Sequence, residues 1–541
     1  MKVHEAIAKA LVAEEVRAVF GLMGDGNLKL LPYLTTELDV AFYSSRHEAA
    51  CVGMAEGYAR VTDGVGVCTF TQGPGLTNAM TALISARRAR TPLVVLCGDT
   101  PTAVSGLPQD IDQRPILASG DIAVAEIDFD DPVPGVAAAF QRARRERQPI
   151  ALVLPTDLQD RECAWTEPPP APAPQPPVAP DQDALAVAVE ALAAARRPVV
   201  IAGQGARLAG ARDAIVELAD RTGALLATSL LCKGWFDGHP FDLGIAGGFS
   251  SERTARLIHD ADCVAIFGAS LNHFTSRGGG LISPEATIVQ FDVDAGAHGR
   301  YTPITHPVVG DAGLAARALT ERLDQREGYR TAAVADDLAT AVALPDESEP
   351  DAADPRTLSA IVDRALPADR TLVVDAGHFV GFPSSLIAVP GPTRFVSTMA
   401  FGSIGLGIGA AIGAAVARPD AITVAAVGDG GLMMSLGELD TAVRYGLRLL
   451  IVVYNDEAYG AEMHFLRMLG LDESASRFGV PPLDELARTI GAEGHSVRTA
   501  EDLERLAPKL ADLDGPLLLD CHVTQNVRAG WLEEAFQRGA H

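Results

Sequence analysis

The sequence predicts three doubly wound α/β domains, each a parallel sheet covered by helices on both faces. Short, continuous apolar runs alternate with helical patterns along the whole chain. An apolar run without polar alternation reads as a strand buried on both faces, and intervening helices make its neighbours parallel. A proline-rich stretch and an acidic one divide the chain into thirds of domain size. The length of 541 residues also exceeds what one core organises, since cores stop growing near ~250–300 residues.

In the first third, strands are expected at 16–22, 41–44, 65–70, 92–98 and 149–154, with helices at 47–62 and 76–90. The middle third repeats the theme with strands at 198–203, 262–268 and 287–294. The last third does so at 370–375, 422–428, 447–454 and 516–523. The run of prolines from Pro168 to Pro177 cannot sustain helix or sheet ladders and reads as a stiff connector. The aperiodic acidic stretch 344–351 reads as a second one. The expected division is therefore 1–165, a linker at 166–182, a middle domain at 183–340, a linker at 341–356 and a last domain at 357–541. Segment 404–417, dense in Gly and Ala, reads as a helix pressed against its neighbours and is too short to span a bilayer. In doubly wound domains ligands sit at the carboxyl ends of strands, so residues just after strands are the site candidates.

Composition narrows the function classes. Forty-four Lys and Arg against seventy Asp and Glu give a net charge of −26, and no basic block offsets it. Nucleic acid is therefore not an expected partner, and neither is a membrane. An anionic ligand could bind only through local amides or a metal. The seven cysteines are scattered, form no Cys-x-x-Cys pair and mostly lie in apolar runs. They read as small buried hydrophobes in a reducing compartment. The N-terminus has no leader-like apolar segment, so the cytoplasm is the expected location.

The strongest chemical signal is Gly428-Asp429-Gly430-Gly431 after the strand 422–428, followed by a helical stretch and a strand ending in Asn455-Asp456. Adjacent parallel strands in a βαβ unit bring their carboxyl ends together, so Asp429 and Asp456 converge. Two carboxylates with a backbone carbonyl, that of Ala458, make a hard oxygen site suited to Mg²⁺. The glycines admit close backbone approach, and the amides opening the next helix face the same point. That arrangement is a pyrophosphate cradle with its counter-ion built in. Here the chain resembles the thiamine diphosphate enzymes of the acetolactate synthase, pyruvate decarboxylase and benzaldehyde lyase type. It departs from their pattern at Asp456, where the family usually carries a second Asn.

The resemblance implies further roles. The first domain would bind the cofactor's pyrimidine and the last its diphosphate, with Gly428, Asp429, Gly430, Gly431, Asp456, Ala458, Tyr459 and Gly460 around phosphate and metal. Glu48 matches the glutamate that switches on the aminopyrimidine. Ile404 matches the apolar wedge that bends the cofactor, and the Gly402 carbonyl would accept from its amino group. Gly377, His378 and Phe379 fall where the family contacts the diphosphate. Gly203-Gln204-Gly205 and the glycines from Gly405 to Gly409 echo dinucleotide loops without their full spacing, and are set aside.

For the reaction, Asp25 falls at the decarboxylases' catalytic aspartate, with Met23 in place of a proline. Glu462 falls at their catalytic glutamate, and His464 is a second proton source. The stretch 107–113 lacks the decarboxylases' histidine pair; a glutamine at the place of Gln113 orients the acceptor in benzaldehyde lyase and acetolactate synthase. The expected activity is a thiamine diphosphate- and Mg²⁺-dependent lyase or carboligase acting on a 2-oxo acid or related ketone. Simple aldehyde release is the first alternative. An FAD-bearing synthase, with FAD in the middle domain, and a non-catalytic homologue are the others; FAD is not expected. The resemblance also implies a homodimer or homotetramer whose sites lie between subunits.

Overall fold

The computed structural model describes residues 1–170, 175–342 and 344–537, with no side-chain description beyond 534. Part of the proline-rich linker (171–174) and one residue of the acidic linker (343) lie outside the described residues. Each third folds around one six-stranded sheet, and every strand pairing is parallel. The first sheet contains β1 (Ala18–Gly21), β2 (Ala41–Ser44), β3 (Gly66–Phe70), β4 (Leu93–Asp99), β5 (Ala123–Val124) and β6 (Pro149–Pro155). The middle sheet contains β7 (Pro198–Ala202), β8 (Leu225–Thr228), β9 (Asp242–Ile245), β10 (Cys263–Phe267), β11 (Thr287–Asp292) and β12 (His306–Val309). The last contains β13 (Arg370–Val374), β14 (Phe395–Ser397), β15 (Ile422–Gly428), β16 (Leu449–Asn455), β17 (Glu493–Val497) and β18 (Leu517–His522).

The strand orders sort the domains. The outer two share one order, β2-β1-β3-β4-β6-β5 and β14-β13-β15-β16-β18-β17. The middle sheet runs β12-β11-β10-β7-β8-β9, the arrangement of dinucleotide-binding folds. In both outer sheets the order reverses between the first and third strands, and a crevice opens there at the carboxyl ends. Central strands are buried along their whole length, as their unbroken Val, Ile, Leu and Ala runs require.

Two expectations shift. The Gly/Ala-rich helix spans Gly407–Ala417 and begins later than position 404, because Asp375 holds the preceding loop. The stretch after Gly431 forms two helices, Asp429–Ser435 and Gly437–Arg444, which meet at Leu436.

Helix Gly407–Ala417 crosses helix Glu48–Thr62 of the first domain at very short range. A Cβ added at Gly57 would lie 1.9 Å from the Ala410 carbonyl oxygen, and one at Gly413 would lie 1.8 Å from that of Met54. Glycine is required there by space, not by φ. Polar contacts fix the same junction: Glu438 Oε1 accepts from the Arg46 backbone N–H (2.9 Å), and the Tyr445 hydroxyl accepts from that of Ser44 (2.8 Å). First and last domains are thereby locked together within one chain. Among the described residues no helix is long and apolar enough to cross a membrane, and the seven cysteines are free, all but Cys163 buried.

Gly57→Ala should therefore cost about 1–3 kcal/mol or more by overpacking. Thermal unfolding followed by circular dichroism should give a clearly lowered midpoint; an unchanged one would contradict the crossing.

Candidate active site

At the carboxyl ends of β13, β15 and β16 lies a cavity of about 660 Å³. Its walls bring together Gly377, His378, Phe379, Gly402, Ile404, Gly428, Asp429, Gly430, Gly431, Asp456, Ala458, Tyr459, Gly460 and Glu462. The register places them: Gly428 pairs with Tyr454 across β15 and β16, so the two chains leave the sheet side by side.

Asp429 opens helix Asp429–Ser435 and is 2% exposed. Its Oδ1 accepts from the Gly430 N–H (2.8 Å), while its Oδ2, also buried, has no hydrogen-bond partner among the described residues. Burial pushes its pKa up to about 7. Asp456 is raised to about 8, first by burial and then by the charge of Asp429. Two desolvated carboxyls that resist ionising together form a place that gains from a cation. Among the described residues no group of three or more His, Cys, Asp or Glu side chains is arranged for a metal. A cation here would thus complete its shell with backbone and ligand oxygens, the habit of Mg²⁺.

The loop after β16 is shaped for this. Glu457 sits at φ 55°, in the left-handed region, and Asp456 Oδ1 accepts from the Ala458 N–H (3.2 Å). The short bridge to Arg477 uses the Glu457 carbonyl and the Tyr459 N–H, and leaves the Ala458 carbonyl out of its bonds. Gly460 is required because a Cβ there would lie 2.2 Å from Asp456 Oδ2, and Gly430 because one would meet the Tyr459 ring at 2.8 Å.

Asp375, just beyond β13, organises the opposite wall. It is fully buried, which raises its pKa, and it accepts from the N–H groups of Gly405 (2.7 Å) and Ala376 (2.9 Å) and from Thr398 Oγ1 (3.0 Å). The loop carrying Ile404 is fixed through that carboxylate. Gly402, at φ 77°, turns the chain where a side chain would be strained. Phe379 stacks on Tyr454 with ring centroids 5.0 Å apart.

His378 and His464 form a buried pair, ring centroids 4.4 Å apart. Burial lowers the pKa of His378 to about 3 and that of His464 to about 4, so both are neutral near pH 7. The Ala529 N–H donates to His378 Nε2 (2.9 Å), which puts the ring proton on Nδ1 and leaves that nitrogen as the donor. His464 Nε2 is buried without a partner among the described residues.

The first domain presents a second cluster at the ends of β1, β3 and β4. Glu48 is buried at the first turn of its helix, and its Oε2 accepts from Asn78 Nδ2 (3.0 Å). Exposed Asp25 accepts from Gln72 Nε2 (3.4 Å). Gln113 is buried and spends its whole amide on the domain itself. Its oxygen accepts from the Gly73 N–H and Cys97 Sγ, and its nitrogen donates to the Gly98 carbonyl and Asp99 Oδ1. Through these four bonds it braces the loop at 72–74. Glu48, Asp25 and Gln113 do not line the cavity of the last domain; the single chain holds the two clusters apart.

Sequence reasoning missed the organising part of Asp375, which its place after a strand could have disclosed. It also missed the C-terminal segment: Gln525 Nε2 donates to the Asp456 carbonyl (2.6 Å), and Trp531 Nε1 to that of His378 (3.3 Å). In the middle domain, Gly203 and Gly205 are explained by packing, since a Cβ at either would meet the Gly268 backbone below 3.0 Å.

Comparison with known proteins agrees with this geometry. Residues 1–116 match the N-terminal TPP binding domain of thiamine pyrophosphate enzymes, 185–319 their central domain, and 375–521 their C-terminal TPP binding domain. The chain is 27% identical to the probable acetolactate synthase large subunit of Methanococcus aeolicus, over 95% of this chain and 91% of that one. It is 28% identical to the sulfoacetaldehyde acetyltransferase of Castellaniella defragrans, with the same coverage. Among solved structures, the thiamine diphosphate-dependent 4-hydroxybenzoylformate decarboxylase of Rhodococcus jostii shares the fold, with a TM-score of 0.82 at 22% identity over 97% of this chain and 100% of that one. With three matching domains in the family's order and a cavity where its diphosphate half would lie, this chain belongs to the thiamine pyrophosphate enzymes.

Proposed function

We propose that the protein is a thiamine diphosphate- and Mg²⁺-dependent lyase or carboligase that acts on a 2-oxo acid or related ketone in the manner of acetolactate synthase. What supports this most is the buried Asp429–Asp456 pair, with an unpartnered carboxylate oxygen facing a glycine-lined cavity. The residues fit the cofactor. Asp429, Asp456 and the Ala458 carbonyl would hold the cation, and the amide of Gly431 in the first turn of helix Asp429–Ser435 would meet the diphosphate. Thiamine diphosphate, when bound, supplies a nucleophilic carbon that adds to a carbonyl and takes up the charge left as the neighbouring C–C bond breaks.

The remaining roles follow from position. His378 offers its Nδ1–H to a ligand oxygen, and Ile404 stands as the apolar support between the clusters of polar contacts. Glu462 on the cavity wall and neutral His464 behind it would deliver protons. Glu48, with Asp25 from the same domain, completes the site from a second copy of the chain, so the protein works as a homodimer or homotetramer. Exposed Met23, Leu28 and Leu107 around the first cluster, and Met434, Leu469 and Leu471 on the last domain, support such a contact.

Release of an aldehyde is the second reading, favoured by an acid at Glu462 within the cavity. Incubation with a panel of 2-oxo acids and mass spectrometry of the products separates the two, and no turnover on any member would overturn both. An absorbance spectrum of the purified protein near 450 nm tests for bound FAD.

Glu48→Gln should keep cofactor affinity and lose roughly 10²–10⁴-fold in kcat; wild-type turnover would remove Glu48 from the relay. Asp429→Ala should weaken Mg²⁺-dependent cofactor binding by about 100-fold or more in a calorimetric titration, and unchanged affinity would refute the metal assignment. The pair also sets a pH dependence. Both carboxyls are held above the ordinary ~4. In the metal-free chain their contribution to stability is therefore complete below that value and is lost as pH rises to 7–8. Mg²⁺ should accordingly raise the melting midpoint more at pH 8 than at pH 6, read by scanning fluorimetry against a chelator control. Equal shifts at both pH values would count against the pair.

A further inference from the structure

A second cavity, of about 200 Å³, lies where the middle domain meets the last. Lys233, Asp242, Ile245 and Phe249 line it from one side, Ser385 and Val389 from the other. The domains touch closely here: Gly234 sits at φ 78°, and a Cβ on it would lie 2.6 Å from the Val389 carbonyl oxygen. Ser385 Oγ donates to the Phe249 carbonyl (2.9 Å) and closes the same wall. None of these residues lines the cavity of Asp429, although the two share a wall of apolar side chains that includes Phe249 and Phe382.

Lys233 is the unusual member. Lysine is rare in this chain, at positions 2, 9, 29, 233 and 509 only, while arginine supplies most cations. Lys2, Lys29 and Lys509 stand in ion pairs at the surface with Glu162, Asp160 and Glu493. Lys233 is 8% exposed, and among the described residues its amine makes no hydrogen bond or ion pair. The charges facing it are Asp363, itself bound to Arg370, and Asp237 and Asp242. An arginine in this place would stay charged; a desolvated lysine can lose its proton and become a nucleophile. Burial does lower its pKa, to about 8, and raises that of Asp242 to about 6. Asp242 is steadied by the Gly244 N–H (2.8 Å). An amine and an acid poised near neutrality in one desolvated cavity are the parts of a carbonyl-capturing site.

We propose that Lys233 captures a small aldehyde or ketone as a Schiff base in the cavity between the middle and last domains, with Asp242 as the acid. The neutral amine's lone pair forms a bond to the carbonyl carbon, and the proton it sheds passes to the carbonyl oxygen. The resulting hydroxyl leaves as water with a proton from Asp242. An iminium and a carboxylate remain, one positive and one negative, in place of a neutral amine and a neutral acid. No oxidant or metal enters. The cavity volume limits the ligand to a few heavy atoms, and Ile245, Phe249 and Val389 favour a short hydrocarbon tail.

The test is reductive trapping on the full-length protein. Acetaldehyde in one arm and pyruvate in another are mixed with the protein and sodium cyanoborohydride, and chymotryptic peptides are read by mass spectrometry. The other four lysines serve as internal standards. Lys233 should be alkylated about tenfold faster than Lys9 in at least one arm, and Asp242→Asn should slow that labelling several-fold without moving the melting midpoint. Because the main readout is taken on the unaltered chain, it does not depend on a variant folding. Labelling of Lys233 no faster than that of Lys9 in both arms, or unaffected by Asp242→Asn, overturns the proposal.

Discussion

The candidate site depends on two carboxylates that the fold forces to share a space neither would choose. Asp429 and Asp456 leave neighbouring strands at the same level because β15 and β16 pair in register from Thr423 to Gly428. Each is desolvated, and the charge of Asp429 makes Asp456 harder still to ionise. A divalent cation, as proposed for this site, would offset that cost, so the resistance to ionising and the proposed binding are one feature seen from two sides. An Asn at position 456 would relieve the repulsion and weaken the attraction together.

Everything else at the site serves to hold those groups without adding side chains. Glycines at 430, 431 and 460 keep the loops thin, and Asp375 ties the Ile404 loop down from below. The same economy of side chains joins the domains, where two helices built of Gly and Ala let their backbones approach. Interiors packed this closely transmit displacement instead of absorbing it. The start of the Glu48 helix, bonded to Glu438, therefore has its position set by the last domain even though its carboxylate points elsewhere.

Much of the fold was legible in the sequence because the central strands are buried on both faces and so are written in continuous Val, Ile and Leu. The edges were not. β5 has two residues, β14 three, and β17 reads Glu-Gly-His-Ser-Val, half polar because one side meets solvent. β9, Asp-Leu-Gly-Ile, breaks its apolar run with an acid and a glycine that line the cavity between the middle and last domains. At the site, the grouping of residues around Asp429 and Asp456 was legible because they follow strands that pair side by side. The C-terminal segment was not, since Ala529 acts through its backbone and Gln525 through one long-range bond. Gln113 illustrates the converse: its expected role came from resemblance alone, and its four hydrogen bonds within the first domain left no mark in the local sequence.

The bond from Ala529 to His378 carries one more implication. The proton of a cavity imidazole is located by a main-chain donor, which every amino acid but proline supplies. What limits residue 529 is therefore the space around its buried side chain and not the hydrogen bond it makes, and any residue but proline that fits there leaves the protonation pattern of the cavity unchanged. The proton is placed by the path of the polypeptide, so the role could not be read from the residue type.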